Sequence, residues 1–287
     1  MTRPVSLDAM GSSERVRSRQ PGLTSGVTMA RLISLARLLA NRRWTRYSEP
    51  FPHVVARDVF QKAFYRELES QFQEALIDGV GRPGKRQRFV LQSPEYDAYV
   101  LLPDRGLADP LRLFISRSWH DLLAELFDVK TTLDVQCAFH HHSVGSATGW
   151  VHSDIGLRYF MDAPHSDGIS LACAGRTPGA ANAAGQNVRP VVRAIAMIFY
   201  LNNTWSPGRG GETGLYRSVQ DPPTQPVARV PPLNNSLLAF ECSPYSFHAF
   251  LKNHEYPRNS VNLWLYRPKA DVVARWGEDK IYDVERP

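Results

Sequence analysis

After Asp128 the chain changes texture, and that change constrains the fold more than any single motif. Short β-branched and aromatic runs alternate with Gly, Pro and Asn: Thr131–Phe139, Trp150–His152, Val191–Leu201, Glu212–Tyr216, Val227–Val230, Ser236–Glu241, Ser246–Leu251 and Ser260–Tyr266. Runs of this length and composition read as strands bounded by turns. Following two or three helices, they predict an α+β, mainly β architecture: a double-stranded β-helix, or jelly roll, braced by N-terminal helices. Two longer breaks interrupt the pattern. Asp162–Pro190 is rich in Gly, Ala and Asn, and Ser218–Pro232 is rich in Pro. Structureless loops of such length in a compact domain are functional lids or disordered, so 160–190 is read as a lid loop inserted in the core.

Ahead of the strands the periodicity is helical. Phe60, Phe64, Leu68 and Phe72 recur at four-residue steps, one face of a helix from about Arg57 to Ile77. A second helix near Leu111–Phe127 buries Leu122, Leu123, Leu126 and Phe127, and Phe51–Val55 reads as a strand entry. From Met29 to about Trp44, Leu32, Leu35, Ala36 and Leu39 follow helical spacing among arginines. Such a basic amphipathic helix either lies on an anionic membrane or packs on the body through its leucine stripe. The expected organisation is a disordered basic tail over 1–28, support helices over 29–130 and the jelly-roll core over 131–287, one domain overall.

The net charge of +6 hints at an acidic partner until it is located. Residues 1–46 hold nine arginines against Asp8 and Glu14, which leaves the remainder close to neutral. The body therefore has no electrostatic footprint for nucleic acid. Cys137, Cys173 and Cys242 form no CxxC pair, and an odd number argues against a disulfide framework. With no run long enough to span a membrane and no secretory h-region, the expected location is cytoplasmic. Peripheral membrane contact through 29–46 stays open, and the oligomeric state is unreadable.

The chemistry is carried by His152-Ser153-Asp154, with His248 and Arg258 later in the chain. Residues two apart on a strand share a face, so His152 and Asp154 project together. Two imidazoles and a carboxylate hold iron(II) on one side and leave the other open for a co-substrate and O₂. Arg258 supplies a fixed cation for a dicarboxylate, and Ser260 shares its strand face. His165-Ser166-Asp167 repeats the same tripeptide, but it lies between Pro164 and Gly168 in the insert. His165 and Asp167 are therefore read as lid residues.

These pieces resemble the iron(II)/2-oxoglutarate-dependent dioxygenases, in particular their prolyl 4-hydroxylase-like branch, from about Asp134 to Pro268. Four segments carry the resemblance: Gly149–Asp154, Ile198–Trp205, Gly210-Gly211-Glu212, and His248 followed by Arg258-Asn259-Ser260 and Trp264. It implies iron ligation by His152, Asp154 and His248, and 2-oxoglutarate held by Arg258 with Ser260 beside it. Tyr200 matches a position whose phenol reaches the same carboxylate. Where the family often places a co-substrate-facing tyrosine, this chain has His140-His141-His142, of which His142 is taken as the pocket residue. The implied activity is hydroxylation of an unactivated C–H bond, with O₂ consumed, succinate and CO₂ released, and ascorbate as reductant. The unusual insert points to a small-molecule or carrier-bound substrate. Two readings stand beside it: a peptidyl-proline hydroxylase, and a non-catalytic jelly-roll module with a vestigial metal site.

Overall fold

The computed structural model describes residues 2–7, 34–79, 89–93, 98–103, 106–161, 168–172 and 188–283. Its strands are β1 (Thr2–Ser6), β2 (Arg43–Tyr47), β3 (His53–Ala56), β4 (Val90–Ser93), β5 (Ala98–Leu101), β6 (Asp134–His142), β7 (Gly156–Met161) and β8 (Ser170–Leu171). They continue as β9 (Val188–Tyr200), β10 (Thr213–Tyr216), β11 (Ala228–Val230), β12 (Ser236–Glu241), β13 (Phe247–Phe250), β14 (Arg258–Pro268) and β15 (Tyr282–Asp283). The helices are α1 (Leu35–Leu38), α2 (Lys62–Gly79), α3 (Arg117–Phe127) and α4 (Lys269–Trp276).

A large sheet runs β1-β2-β3-β12-β9-β14-β6-β5-β4, and a small one runs β11-β10-β13. Residues 149–152 extend the small sheet past β13: Gly149 N–H donates to the Phe250 carbonyl, and His152 and His248 form an isolated antiparallel bridge. The expected run Trp150–His152 is thus a bridge rather than a strand. The two sheets make the double-stranded β-helix predicted from the strand texture.

Alternation along β9 explains the layering. Met197 and Phe199 face α2 and α3, in a cluster with Leu68, Phe72, Leu123 and Leu126. Ala196, Ile198 and Tyr200 face the small sheet with Leu215 and Val230. On the helix side Phe60 packs on Phe199, Trp119 and Phe114 with centroids 5.3, 5.4 and 6.3 Å apart. Burying one such ring contributes about 1.5–3 kcal/mol. Helix α3 starts where Ser116 accepts the Trp119 N–H at 3.2 Å and ends at Asp128, which takes a left-handed conformation.

The N-terminal expectations need correction. Among the described residues of 29–46, only Leu35–Leu38 is helical, and Arg43–Tyr47 is a strand between β1 and β3. Thr2–Ser6 is a strand where a disordered tail was expected. Neither stretch is apolar enough to announce itself; the ladder along β2 supplies what local pattern lacks. Strands β2 to β5 likewise interrupt the helical region 29–130. Of the helical stripe, Leu39 is buried and Leu35 lies against the core, while Ala36 is exposed and Leu32 lies outside the described residues. Residues 8–33, most of 160–190, and His165, Asp167 and Cys173 with them, lie outside the described residues. Cys137 and Cys242 are buried free thiols. No helix among the described residues is long and apolar enough to cross a membrane.

Candidate metal centre and its pocket

His152 and His248 are cross-strand partners in their bridge, so both imidazoles leave the small sheet on the same face, with ring centroids 4.5 Å apart. Asp154 follows two residues after His152. Its Oδ1 lies 3.9 Å from His152 Nε2 and its Oδ2 lies 3.6 Å from His248 Nε2. One ligand atom from each of the three residues falls within 4.8 Å of the others. Both histidines turn Nδ1 toward a backbone carbonyl two residues back, His152 to Trp150 at 3.0 Å and His248 to Ser246 at 3.2 Å. With Nδ1–H donating there, each Nε2 keeps its lone pair for a metal.

The protonation states suit such an ion. Burial and the neighbouring His152 imidazole push the His248 pKa down to about 4, keeping the ring neutral. Burial would raise the Asp154 pKa, but the Arg193 guanidinium, the two imidazoles and the Trp264 indole hold it well below the usual carboxylate range. Two Nε2 lone pairs and one ionised carboxylate, facing a pocket, fit a divalent metal with open coordination positions.

The pocket lies between the sheets and encloses about 100 Å³. Its other end is Arg258, buried, whose Nη2 donates to Thr213 Oγ1 at 3.1 Å. The Tyr200 hydroxyl shares a 2.7 Å hydrogen bond with the same Thr213 oxygen, and the guanidinium carbon lies 5.2 Å from the Tyr200 ring centre. In the small sheet Thr213 is paired with Phe250 and Leu215 with His248. Thr213, the partner of the guanidinium, thus stands one two-residue strand step, roughly 6.6 Å, from the level of His248.

Backbone devices hold this end in place. Gly210 has φ +76°, and a Cβ there would meet the Lys252 carbonyl oxygen at 1.8 Å, so the turn into β10 requires glycine. The Asn202–Asn203 turn clamps residue 259: Asn203 Oδ1 accepts its N–H at 2.7 Å and Asn203 Nδ2 donates to its carbonyl at 3.0 Å. The Asn259 side chain donates to the Asn202 carbonyl and meets His141 Nδ1 at 2.8 Å. These bonds fix the backbone next to Arg258.

The other expected site residues divide. His142, in register with Arg258, lines the pocket and stacks on Phe250 at 4.0 Å. His140 lines it as well, as alternation on β6 requires, and burial together with the Arg258 charge pushes its pKa down to about 3. Ser260 is fully buried and donates to Asn262 Oδ1 at 2.9 Å, and Asn262 lines the pocket.

Sequence reasoning missed Thr213, Asn262 and, above all, Arg193. Arg193 Nη1 donates to Asp154 Oδ1 at 2.9 Å, while Trp264 Nε1–H donates to Asp154 Oδ2 at 2.7 Å. The guanidinium also stacks 4.3 Å over the Trp264 ring. Counting back from Tyr200 in twos puts Arg193 on the helix side. The β9–β14 register, however, skips Ala194 between Leu265 and Tyr266, and this bulge reverses the parity. The skipped residue's carbonyl is held by Cys242 N–H at 2.8 Å and Arg267 Nη2 at 3.3 Å.

Residues 181–266 match the sequence model of the 2OG-Fe(II) oxygenase superfamily, a stretch that contains His248 and Arg258. Mouse (Mus musculus) prolyl 3-hydroxylase OGFOD1 is 38% identical over 92 residues, 31% of this chain and 17% of that protein. The match therefore spans less than a fifth of this relative's length. A Pseudomonas putida prolyl-4-hydroxylase structure is similar over 75% of this chain and 92% of its own, at 16% identity and TM-score 0.49. A Trichoplax adhaerens prolyl hydroxylase, solved with a hypoxia inducible factor peptide fragment, is similar over 78% of this chain and 86% of its own, at 16% identity and TM-score 0.48. The ligand geometry and the matched segment agree: the chain is similar over that segment to the 2OG-Fe(II) oxygenase superfamily and, over 92 residues, to a prolyl 3-hydroxylase.

Proposed function

We propose that the protein is an iron(II)- and 2-oxoglutarate-dependent dioxygenase that hydroxylates an unactivated C–H bond. The observation that carries the reading is the shared pocket: three metal-competent side chains at one end and a buried, anchored guanidinium at the other. His152, Asp154 and His248 would hold iron(II). The chemistry supplied there, once metal and co-substrate are bound, is oxidative decarboxylation of 2-oxoglutarate by O₂, coupled to substrate hydroxylation.

The protein's own part is positioning. Arg258 meets the distal carboxylate with a charge-assisted, geometrically specific contact. Thr213 and Tyr200 add a donor by proton count: the two hydroxyls share one hydrogen bond, which consumes one of their two protons. The remaining O–H is left to donate to an acceptor beside Arg258. The stacked rings of His142 and Phe250 form an aromatic wall there, and Asn262, its Oδ1 occupied by Ser260, keeps its amide N–H₂ for the pocket. Exclusion of water by these walls strengthens each contact.

The substrate proposed is a small molecule or a carrier-bound group. A peptidyl-proline substrate is the second reading, favoured by the identity to a prolyl 3-hydroxylase. Succinate formation with iron(II), 2-oxoglutarate and ascorbate, across a panel of prolyl peptides and small molecules, tests both. Substrate-stimulated succinate identifies the class. No succinate under any condition, with the metal bound, would return the chain to the non-catalytic binding module.

A further inference from the structure

We infer that Arg193 is a positioning residue that cancels the charge of Asp154 and thereby makes metal binding at the triad depend on an anionic co-substrate. The inference rests on the function proposed above.

Asp154 is the only acid among the described residues lining the pocket. Both of its oxygens are engaged before any metal arrives, Oδ1 by the Arg193 guanidinium and Oδ2 by the Trp264 indole. Arg193 is itself held in place. Its plane rests on the Trp264 ring, and its Nη2 lies 3.4 Å from Gln136 Oε1, which also accepts from the Tyr266 hydroxyl at 2.7 Å. Asp154 and Arg193 are both buried. Water therefore screens them less than it would at the surface, and each charge acts on its close neighbours.

The charge count then decides the behaviour. His152 and His248 must be neutral to ligate, and His140 is kept neutral by its surroundings. One carboxylate faces two guanidiniums, Arg193 behind it and Arg258 across the pocket. A divalent ion entering this cluster alone adds two positive charges beside a carboxylate whose charge Arg193 already offsets. A dianion such as 2-oxoglutarate offsets them. Metal and co-substrate should then bind with strong positive coupling, equal in both directions by linkage. Without Arg193, the same triad would present an uncancelled carboxylate to the metal.

The test is a Mn(II) titration, with and without 2-oxoglutarate, on the full chain and its variants. In the unmodified protein 2-oxoglutarate should tighten Mn(II) binding; if it does not, the proposed function itself fails. Arg193→Leu should bind Mn(II) alone roughly tenfold tighter or more, the order expected for one unit charge near a divalent ion in a poorly screened site. The tightening by 2-oxoglutarate should shrink by the same factor. Arg193→Lys keeps the charge and should keep the coupling. Arg193→Gln keeps an amide donor without the charge and should repeat the leucine result, which also covers a leucine variant that does not fold. Trp264→Phe leaves the charge in place and should leave the coupling unchanged. Weaker Mn(II) binding in the neutral variants by equal factors with and without 2-oxoglutarate would overturn the inference, because that is the mark of a merely structural arginine. Loss of coupling in Trp264→Phe would do the same.

Discussion

Arg258 and Arg193 are both buried arginines at the same pocket, yet the sequence discloses them very differently. Arg258 opens a strand ten residues after His248, and its Nη2 donates to the neutral Thr213 hydroxyl. Arg193 sits in the middle of an apolar strand, and its bond goes to the carboxylate of a metal ligand. One arginine shapes the place for an incoming anion, while the other modifies a resident one. Position in the fold, rather than residue type, assigns the two roles.

Removing a ligand from the metal end should have the largest effect. His248→Ala leaves two ligand groups, and calorimetric metal binding and succinate formation should both drop below detection. Arg258→Ala should come next, weakening 2-oxoglutarate by roughly 10- to 100-fold, the usual value of a charged hydrogen bond. Its metal affinity measured without co-substrate should not weaken. Equal loss of both ligands would merge the two ends into one folding defect and break the comparison. Trp264→Phe removes the Oδ2 donor while keeping a ring under Arg193. Metal affinity should fall about tenfold, as for other partners of ligating side chains. Tyr200→Phe should have the smallest effect, about 0.5–1.5 kcal/mol in 2-oxoglutarate binding, with metal affinity untouched.

What the sequence disclosed follows the same division. The jelly roll was legible because strand alternation and turn residues are local signals, and Ser236–Glu241 even has the expected limits. His152, Asp154, His248 and Arg258 were legible because their types and order are unusual together. Arg193 was not, because a single skipped residue at Ala194 changes which face it occupies, and nothing local marks that skip. Thr213 was equally silent: its role comes from Arg258 and Tyr200 arriving from the other sheet. The strands Thr2–Ser6 and Arg43–Tyr47 are polar at most positions and exist through pairing with each other and with β3. Ser260 reads as a pocket residue by parity, but its hydroxyl is satisfied by Asn262 two residues along the strand.

Anomalous diffraction from crystals grown with Mn(II) and 2-oxoglutarate would locate both ligands at once. One manganese peak should be bonded to His152 Nε2, His248 Nε2 and a single Asp154 oxygen, with the distal carboxylate of the co-substrate on Arg258. Manganese bound without His248, or a co-substrate carboxylate turned away from Arg258, would contradict the proposed site.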